Sequence, residues 1–226
     1  MLWKDDNELF DLVRKELFTA LVGDVLDNHG LYHQFLPQEV KPLDEDMVVI
    51  GRAMTVLEAD VYSDGTKSEV NDLLNKPFGL MFHALDDLKV YVASGSSFDY
   101  AMWGGMMTAR AKVLKAAGAI LNGFSRDTPD VRSQDFPCFS RGTYAQDQGV
   151  RGKVIGWRVP IRIGNTVINP GDMIFGDLDG VVVVPKEIEN EIFMEALEKS
   201  RKENLLRKAV ENGMSSIEAF ERFGIF

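Results

Sequence analysis

The chain has 226 residues, 45% hydrophobic and 27% charged, enough for one large domain with a sizeable core. Its formal net charge of −10 argues against nucleic acid as a partner and requires any anionic substrate to find a local positive site. No apolar stretch approaches the roughly 18 residues of a membrane helix, the first residues lack a basic start followed by an apolar run, and the single cysteine, Cys138, excludes an internal disulfide; no membrane contact is expected, and cytoplasm is the expected location.

Over residues 5–28, apolar side chains at Leu9, Phe10, Leu12, Val13, Leu17, Phe18, Leu21, Val22, Val25 and Leu26 follow helical spacing with a break near Thr19. Asn28-His29-Gly30 then ends the helix. Val48 to Val56 reads as a strand rich in β-branched residues. Lys67 to Asp87 turns helical, interrupted at Pro77 and Gly79, and Lys89 to Ala93 is a short strand leading into the loop Ser94-Gly95-Ser96-Ser97. Gly104-Gly105 opens a helix to about Ala117, Gly118 closes it, and Ala119 to Phe124 is the next strand, so the middle of the chain reads as a βαβ unit with parallel strands. Cys138, between Pro137 and Phe139, is expected in a buried turn as a packing residue.

Val154 to Ile163 and Thr166 to Ile168 are separated by the tight-turn pair Gly164-Asn165. After the turn Pro170-Gly171-Asp172, short strands Met173 to Phe175 and Val181 to Val184 flank Gly176-Asp177-Leu178-Asp179-Gly180. Lys186 to Asn212 is a long charged amphipathic helix stopped at Gly213, and Ser215 with Glu218 has the spacing of a capping box before a last helix. This order predicts an α/β chain with a compact sandwich or swivel-like core flanked by helices. It reads as a single domain over 1–226, in which about 186–226 forms a packing or oligomer appendage.

The chemistry concentrates between Trp103 and Asp127. Two adjacent glycines at a helix start let a ligand approach the backbone, and the N–H groups of the first turn meet a carboxylate with the positive end of the helix dipole. Arg126-Asp127 follows the second strand of the same βαβ unit, so both features fall on the ligand-binding edge of the sheet. There Arg126 can offer a bidentate fork to a carboxylate, or serve as a surface arginine paired with a neighbouring acid; geometry alone leaves both open. Asp127 can hold a hard divalent cation that keeps several of its waters.

The pattern Trp103-Gly104-Gly105, Ala109, Ala111, Gly118, Asn122-Gly123 and Arg126-Asp127 resembles the family that contains 4-hydroxy-4-methyl-2-oxoglutarate aldolase and RraA, the regulator of ribonuclease E activity. Thr19-Ala20 with Asp24 to Asp27, Gly51 to Val56, Pro137 to Gly142, and Pro170 to Pro185 are similar to that family's other stretches. The resemblance implies an RraA-type α/β/β/α sandwich related to swivelling β/β/α domains, assembled as a homotrimer or a hexamer (a dimer of trimers). It implies a divalent-metal-dependent, pyruvate-releasing aldolase with oxaloacetate decarboxylase activity on a small 2-oxo acid. Arg126 would bind the pyruvyl unit, Asp127 would ligate Mg²⁺ or Mn²⁺, and the backbone of Gly104, Gly105, Met106 and Met107 would receive the carboxylate. Two departures stand out: Gly105 replaces an acid, and Asn122 replaces a common Asp, with Asp99 as a possible substitute acid. Gly105 keeps two alternatives open, a non-catalytic regulatory protein-binding module and a lyase of altered hydroxy-acid or sugar-acid chemistry.

Other signals carry less. His29 and His33 have the spacing of a zinc pair but are split by Gly30, which favours a turn. Asp177 and Asp179 are expected to make a turn. Met102, Met106 and Met107 are expected as core or site-wall residues, and the charges from Lys186 to Glu211 as a solvated helix face or an oligomer contact.

Overall fold

A computed structural model describes residues 2–61, 79–85 and 89–223. The described elements in chain order are α1 (Asp6–Glu16), α2 (Thr19–Asn28), β1 (Lys41–Pro42), β2 (Val49–Asp60), α3 (Met81–Leu85), β3 (Val90–Ser94), β4 (Ala101–Trp103), α4 (Gly105–Val113), β5 (Gly118–Leu121) and β6 (Phe124–Ser125). They continue with α5 (Thr128–Ser133), β7 (Cys138–Ser140), β8 (Gly152–Trp157), β9 (Ile161–Ile163), β10 (Thr166–Ile168), β11 (Met173–Gly176), β12 (Val181–Val184), α6 (Glu189–Glu211) and α7 (Ser216–Phe223). They form two compact units, Met1–Tyr32 with Glu187–Phe226, and His33–Lys186. Among the described residues no helix is long and apolar enough to cross a membrane.

The helical unit follows its local signals. Asp5 caps α1 by accepting from the Glu8 N–H at 3.0 Å, and the break before Thr19 separates α1 from α2. Gly30 adopts a left-handed φ of 77° after α2, as the Asn-His-Gly ending predicts. The capping box before α7 is formed in both directions: Glu218 N–H donates to Ser215 Oγ at 3.3 Å, and Ser215 N–H donates to Glu218 Oε2 at 3.1 Å. Helix α6 is tied to the first two helices by Lys199–Asp24 at 2.6 Å and Arg201–Glu16 at 2.8 Å.

The second unit is built on an eight-stranded sheet ordered β1-β7-β5-β3-β2-β11-β12, with β8 also paired to β2. Strand β2 is its spine. Residues 53–57 pair in parallel with β3, while 49–52 pair antiparallel with β11 and 56–60 with β8. Such a strand is covered on both faces, which explains its run of buried β-branched and apolar residues. The predicted βαβ unit is present, because β3 pairs in parallel with β5 and α4 lies between them in sequence.

Three local expectations change. Helix α4 ends at Val113, and Lys115 rather than Gly118 takes the left-handed turn, with φ 57°; Gly118 already starts β5. The Cys138 turn is instead β7, paired in parallel with β5. Strand β4 lies between the predicted loop 94–97 and Gly104, where the sequence predicts no strand. Most of the predicted 67–87 helix lies outside the described residues, apart from 79–85, of which Met81–Leu85 is helical.

Candidate active site

Strand β4 precedes α4 and β6 precedes α5, and the two strands pair in parallel beyond the main sheet. Arg126 N–H donates to the Trp103 carbonyl at 2.9 Å, so the two ends of the predicted site are joined by backbone. Trp103 is buried, stacks on Phe136 with ring centroids 5.9 Å apart, and donates its Nε1–H to Thr108 Oγ1 at 2.8 Å. That hydroxyl donates in turn to the Gly104 carbonyl at 3.1 Å, fixing the first turn of α4.

Gly104 has extended backbone angles, so its need for glycine is spatial. A Cβ there would lie 2.7 Å from Asp127 Oδ2 and 3.3 Å from Arg126 Cγ. Asp127, at φ 54° and ψ 35°, is left-handed and stands at the N-cap of α5, a conformation Asp tolerates better than most residues. Its Oδ2 accepts from the Gly105 N–H at 3.2 Å. Arg126 Nη1 pairs with Asp147 Oδ1 at 2.9 Å, while its Nε is 3.8 Å from Asp127 Oδ2. Arg126 is thus paired with an acid, one of the two readings that its sequence position leaves open.

Gly104, Met106, Met107, Arg126 and Asp127 line one cavity of about 240 Å³, closed by Met81, Phe82, Met102, Asp147 and Gln148. The volume suits a small molecule. Gly104 has no side chain with which to cap α4, and Asp127 Oδ2 accepts from the Gly105 N–H; the N–H groups of Met106 and Met107 have no acceptor within the helix, and the dipole there favours an anion. Gly105, the fifth predicted residue, contributes its N–H to Asp127 as described above.

Asp130 stands over Gly105. A Cβ on Gly105 would fall 1.8 Å from Asp130 Oδ2 and 2.9 Å from its Cγ. Asp99, the acid expected to substitute, lines a different cleft with Asp60, Ser97, Tyr100 and Arg151. Asn122 uses both ends of its amide elsewhere: Nδ2 donates to Ser94 Oγ at 3.1 Å, and Oδ1 accepts from Arg141 Nε at 2.9 Å.

Asp147 and Gln148 are site residues that the sequence reading did not find. They sit in the irregular stretch before β8, bridged to β4 through Ala101↔Asp147, and no motif surrounds them. Behind Gln148 lies Glu58, buried on β2, whose Oε2 accepts from Gln148 Nε2 at 3.0 Å. Burial, with a smaller contribution from Asp60, pushes the Glu58 carboxyl up to about 8.

A hard cation fits this donor set only in one manner. Among the described residues no group of three His, Cys, Asp or Glu could hold a metal. Asp127 offers one half-exposed carboxylate at the cavity wall, which suits an ion that keeps its waters and takes further oxygens from a chelating ligand. His29 does not enter a zinc pair; its Nε2 lies 2.8 Å from Glu195 Oε2. Asp177 Oδ1 accepts from the Asp179 N–H at 3.0 Å, the expected turn role.

A family model described as RraA-like, Aldolase/RraA, matches residues 19–183. A provisionally named 4-hydroxy-4-methyl-2-oxoglutarate aldolase of Halalkalibacterium halodurans is 30% identical over 202 residues, covering 89% of each chain. An uncharacterized protein from Pseudomonas syringae pv. tomato has a solved structure at TM-score 0.79 and 26% identity, covering 98% of this chain and 97% of its own. Streptomyces coelicolor RraAS2, described as an unusual member of the RNase ES inhibitor RraA family, matches at TM-score 0.75 and 24% identity over 91% of this chain and 98% of its own, a likeness of fold.

Proposed function

The chain belongs to the RraA-like family, and on that premise we propose that it is a divalent-metal-dependent lyase releasing pyruvate from a small 2-oxo acid. The observation that carries the reading is the meeting of Arg126, Asp127 and the first turn of α4 in one small cavity.

The Met106 and Met107 N–H groups and the Arg126 fork receive the substrate carboxylate and the adjacent ketone oxygen. Asp147 holds the guanidinium in place through its 2.9 Å pair. Mg²⁺ or Mn²⁺ held by Asp127 would supply Lewis-acid stabilisation of negative charge on the 2-oxo acid. In aldol cleavage a base removes the hydroxyl proton, the C–C bond β to the ketone breaks, and its electron pair becomes the enolate of pyruvate. Arg126 faces that developing charge, and protonation at the methylene carbon completes pyruvate. Decarboxylation of oxaloacetate breaks a C–CO₂ bond to the same enolate, so one site serves both reactions.

Purified protein with Mg²⁺ or Mn²⁺ is expected to release pyruvate from 4-hydroxy-4-methyl-2-oxoglutarate and to decarboxylate oxaloacetate. Arg126→Ala and Asp127→Ala should each lower the rate by about a hundredfold or more. Turnover no higher than in Asp127→Ala overturns the reading.

Two finer proposals accompany it. Met106, Val113 and Phe82 are 85, 72 and 57% exposed on the α3 and α4 side of the second unit, an apolar surface suited to self-assembly as a trimer or hexamer; native mass measurement tests this. The regulatory alternative draws on Gly105, and a stoichiometric protein partner whose capture survives Arg126→Ala would favour it.

A further inference from the structure

We infer that Gln148 recognises the fragment that leaves with cleavage: its amide oxygen faces the cavity as an acceptor, so the substrate carries a hydroxyl on that fragment. The inference rests on the lyase reading above and names the substrate class within it.

Gln148 is 4% exposed and lines the cavity beside Arg126 and Asp147. It is held from two strands. Its carbonyl accepts from the N–H groups of Arg151 at 2.6 Å and Gly152 at 3.0 Å, where β8 starts. Its side-chain Nε2 donates to Glu58 Oε2 on β2 at 3.0 Å. Glu58 is 2% exposed and pairs with Val154 of β8, so the amide nitrogen is committed to the interior. A carboxyl accepts through Oε2 whether or not Oε1 carries a proton, and this end of the amide is fixed in either state. The other end is unpartnered, because among the described residues nothing donates to Gln148 Oε1. Nor is that oxygen sealed from solvent in the way Glu58 Oε1 and the Tyr91 and Tyr100 hydroxyls are. An accessible, unpartnered amide oxygen on a buried residue of the cavity wall points into the cavity.

Chemistry decides what meets it. An amide oxygen only accepts. The 2-oxo acid end, received by Arg126 and the first turn of α4, has a carboxylate, a ketone and a methylene, none of which donates. The reacting hydroxyl gives its proton to a base as the C–C bond breaks. An amide oxygen is not a base, and an acceptor placed there would oppose the negative charge developing on that hydroxyl oxygen. The donor for Gln148 therefore lies beyond the reacting carbon, on the fragment released as an aldehyde or ketone. A hydroxyl on that fragment satisfies the amide oxygen, whereas an apolar fragment leaves it desolvated and unpaired, the loss by which a polar site rejects an analogue lacking a hydroxyl. Glu58 is then a positioning residue. The two ends of an amide are nearly the same shape, and the buried carboxyl selects which of them faces the ligand.

The test is a pair of aldol substrates that differ by one hydroxyl: 4,5-dihydroxy-2-oxopentanoate, which releases glycolaldehyde, and 4-hydroxy-2-oxopentanoate, which releases acetaldehyde. Pyruvate release with Mg²⁺ is measured for each, alongside thermal melting of every variant. The unsubstituted protein should favour the dihydroxy compound in kcat/KM by about tenfold or more. Gln148→Met should bring that preference close to one. Combining it with Glu58→Leu removes both partners of the buried bond together, which protects the fold, and should give the same loss of preference. Glu58→Gln retains an acceptor for the amide and should keep the preference. Equal rates on the two compounds in the unsubstituted protein, or a preference that survives in the folded double variant, overturns the inference while the lyase reading stands. No pyruvate from either compound, nor from 4-hydroxy-4-methyl-2-oxoglutarate, overturns both.

Discussion

Replacing Glu58 with Gln should remove a large part of the pH dependence of stability. Glu58 is 2% exposed; its Oε2 is bonded to Gln148, and its Oε1 meets no hydrogen-bond partner among the described residues. Burial raises the carboxyl from 4.5 to about 8, with Asp60 adding a smaller push in the same direction. The folded chain therefore holds a proton that the unfolded chain has already released over that interval. The stability tied to this proton is whole below about pH 4.5 and is lost progressively as the pH rises to about 8. At about 1.4 kcal/mol per pH unit, the loss approaches roughly 4 kcal/mol by pH 8. Glutamine keeps a neutral acceptor for Gln148 and leaves one amide donor unpartnered, at a cost of about 1 kcal/mol. The variant should then be more stable than the parent by about 3 kcal/mol at pH 8 and nearly equal to it at pH 5. Denaturant unfolding followed by tryptophan fluorescence, at fixed protein concentration from pH 5 to 9, measures the difference. Parent and variant stabilities that run parallel across this range would refute the reasoning.

Gly104→Ala should leave the fold intact, because the backbone there is extended, yet lower kcat/KM for pyruvate release by about tenfold or more, since the added methyl meets Asp127 Oδ2 at 2.7 Å. Melting curves alongside kinetics separate the two effects. Cys138 is fully buried and its thiol is pushed up to about 12, so a disulfide reagent should label no thiol in the native protein and one per chain in guanidinium; rapid native labelling would contradict its packing role.

The βαβ unit was readable because its parts are marked by residues with few other uses. Gly104-Gly105 announces a helix start, and the apolar runs on either side announce strands. Arg126-Asp127 could be assigned to the ligand edge because parallel topology puts helix starts and strand ends on one side. Strands β4, β6 and β7 span three, two and three residues, too short for any period to emerge. Gly118 fits the rule for a helix stop, but Lys115 makes the turn at φ 57° and the glycine is needed for space, with Val49 and Pro137 atoms within 3.0 Å of a would-be Cβ. Asp147 reaches Arg126 across 21 positions from a segment without regular structure, and the pairing of Gly105 with Asp130 depends on how two helices lie together. Neither relation has a one-dimensional signature.

The backbone bond from Arg126 N–H to the Trp103 carbonyl has a bearing on descent. Peptide groups are common to every sequence, so this link between the two halves of the site survives changes of side chain on either half. A lineage can therefore change side chains on either half without first reinventing the distance between them. Chemistry on such a frame can drift in small steps, and relatives that share the outline need not share the reaction.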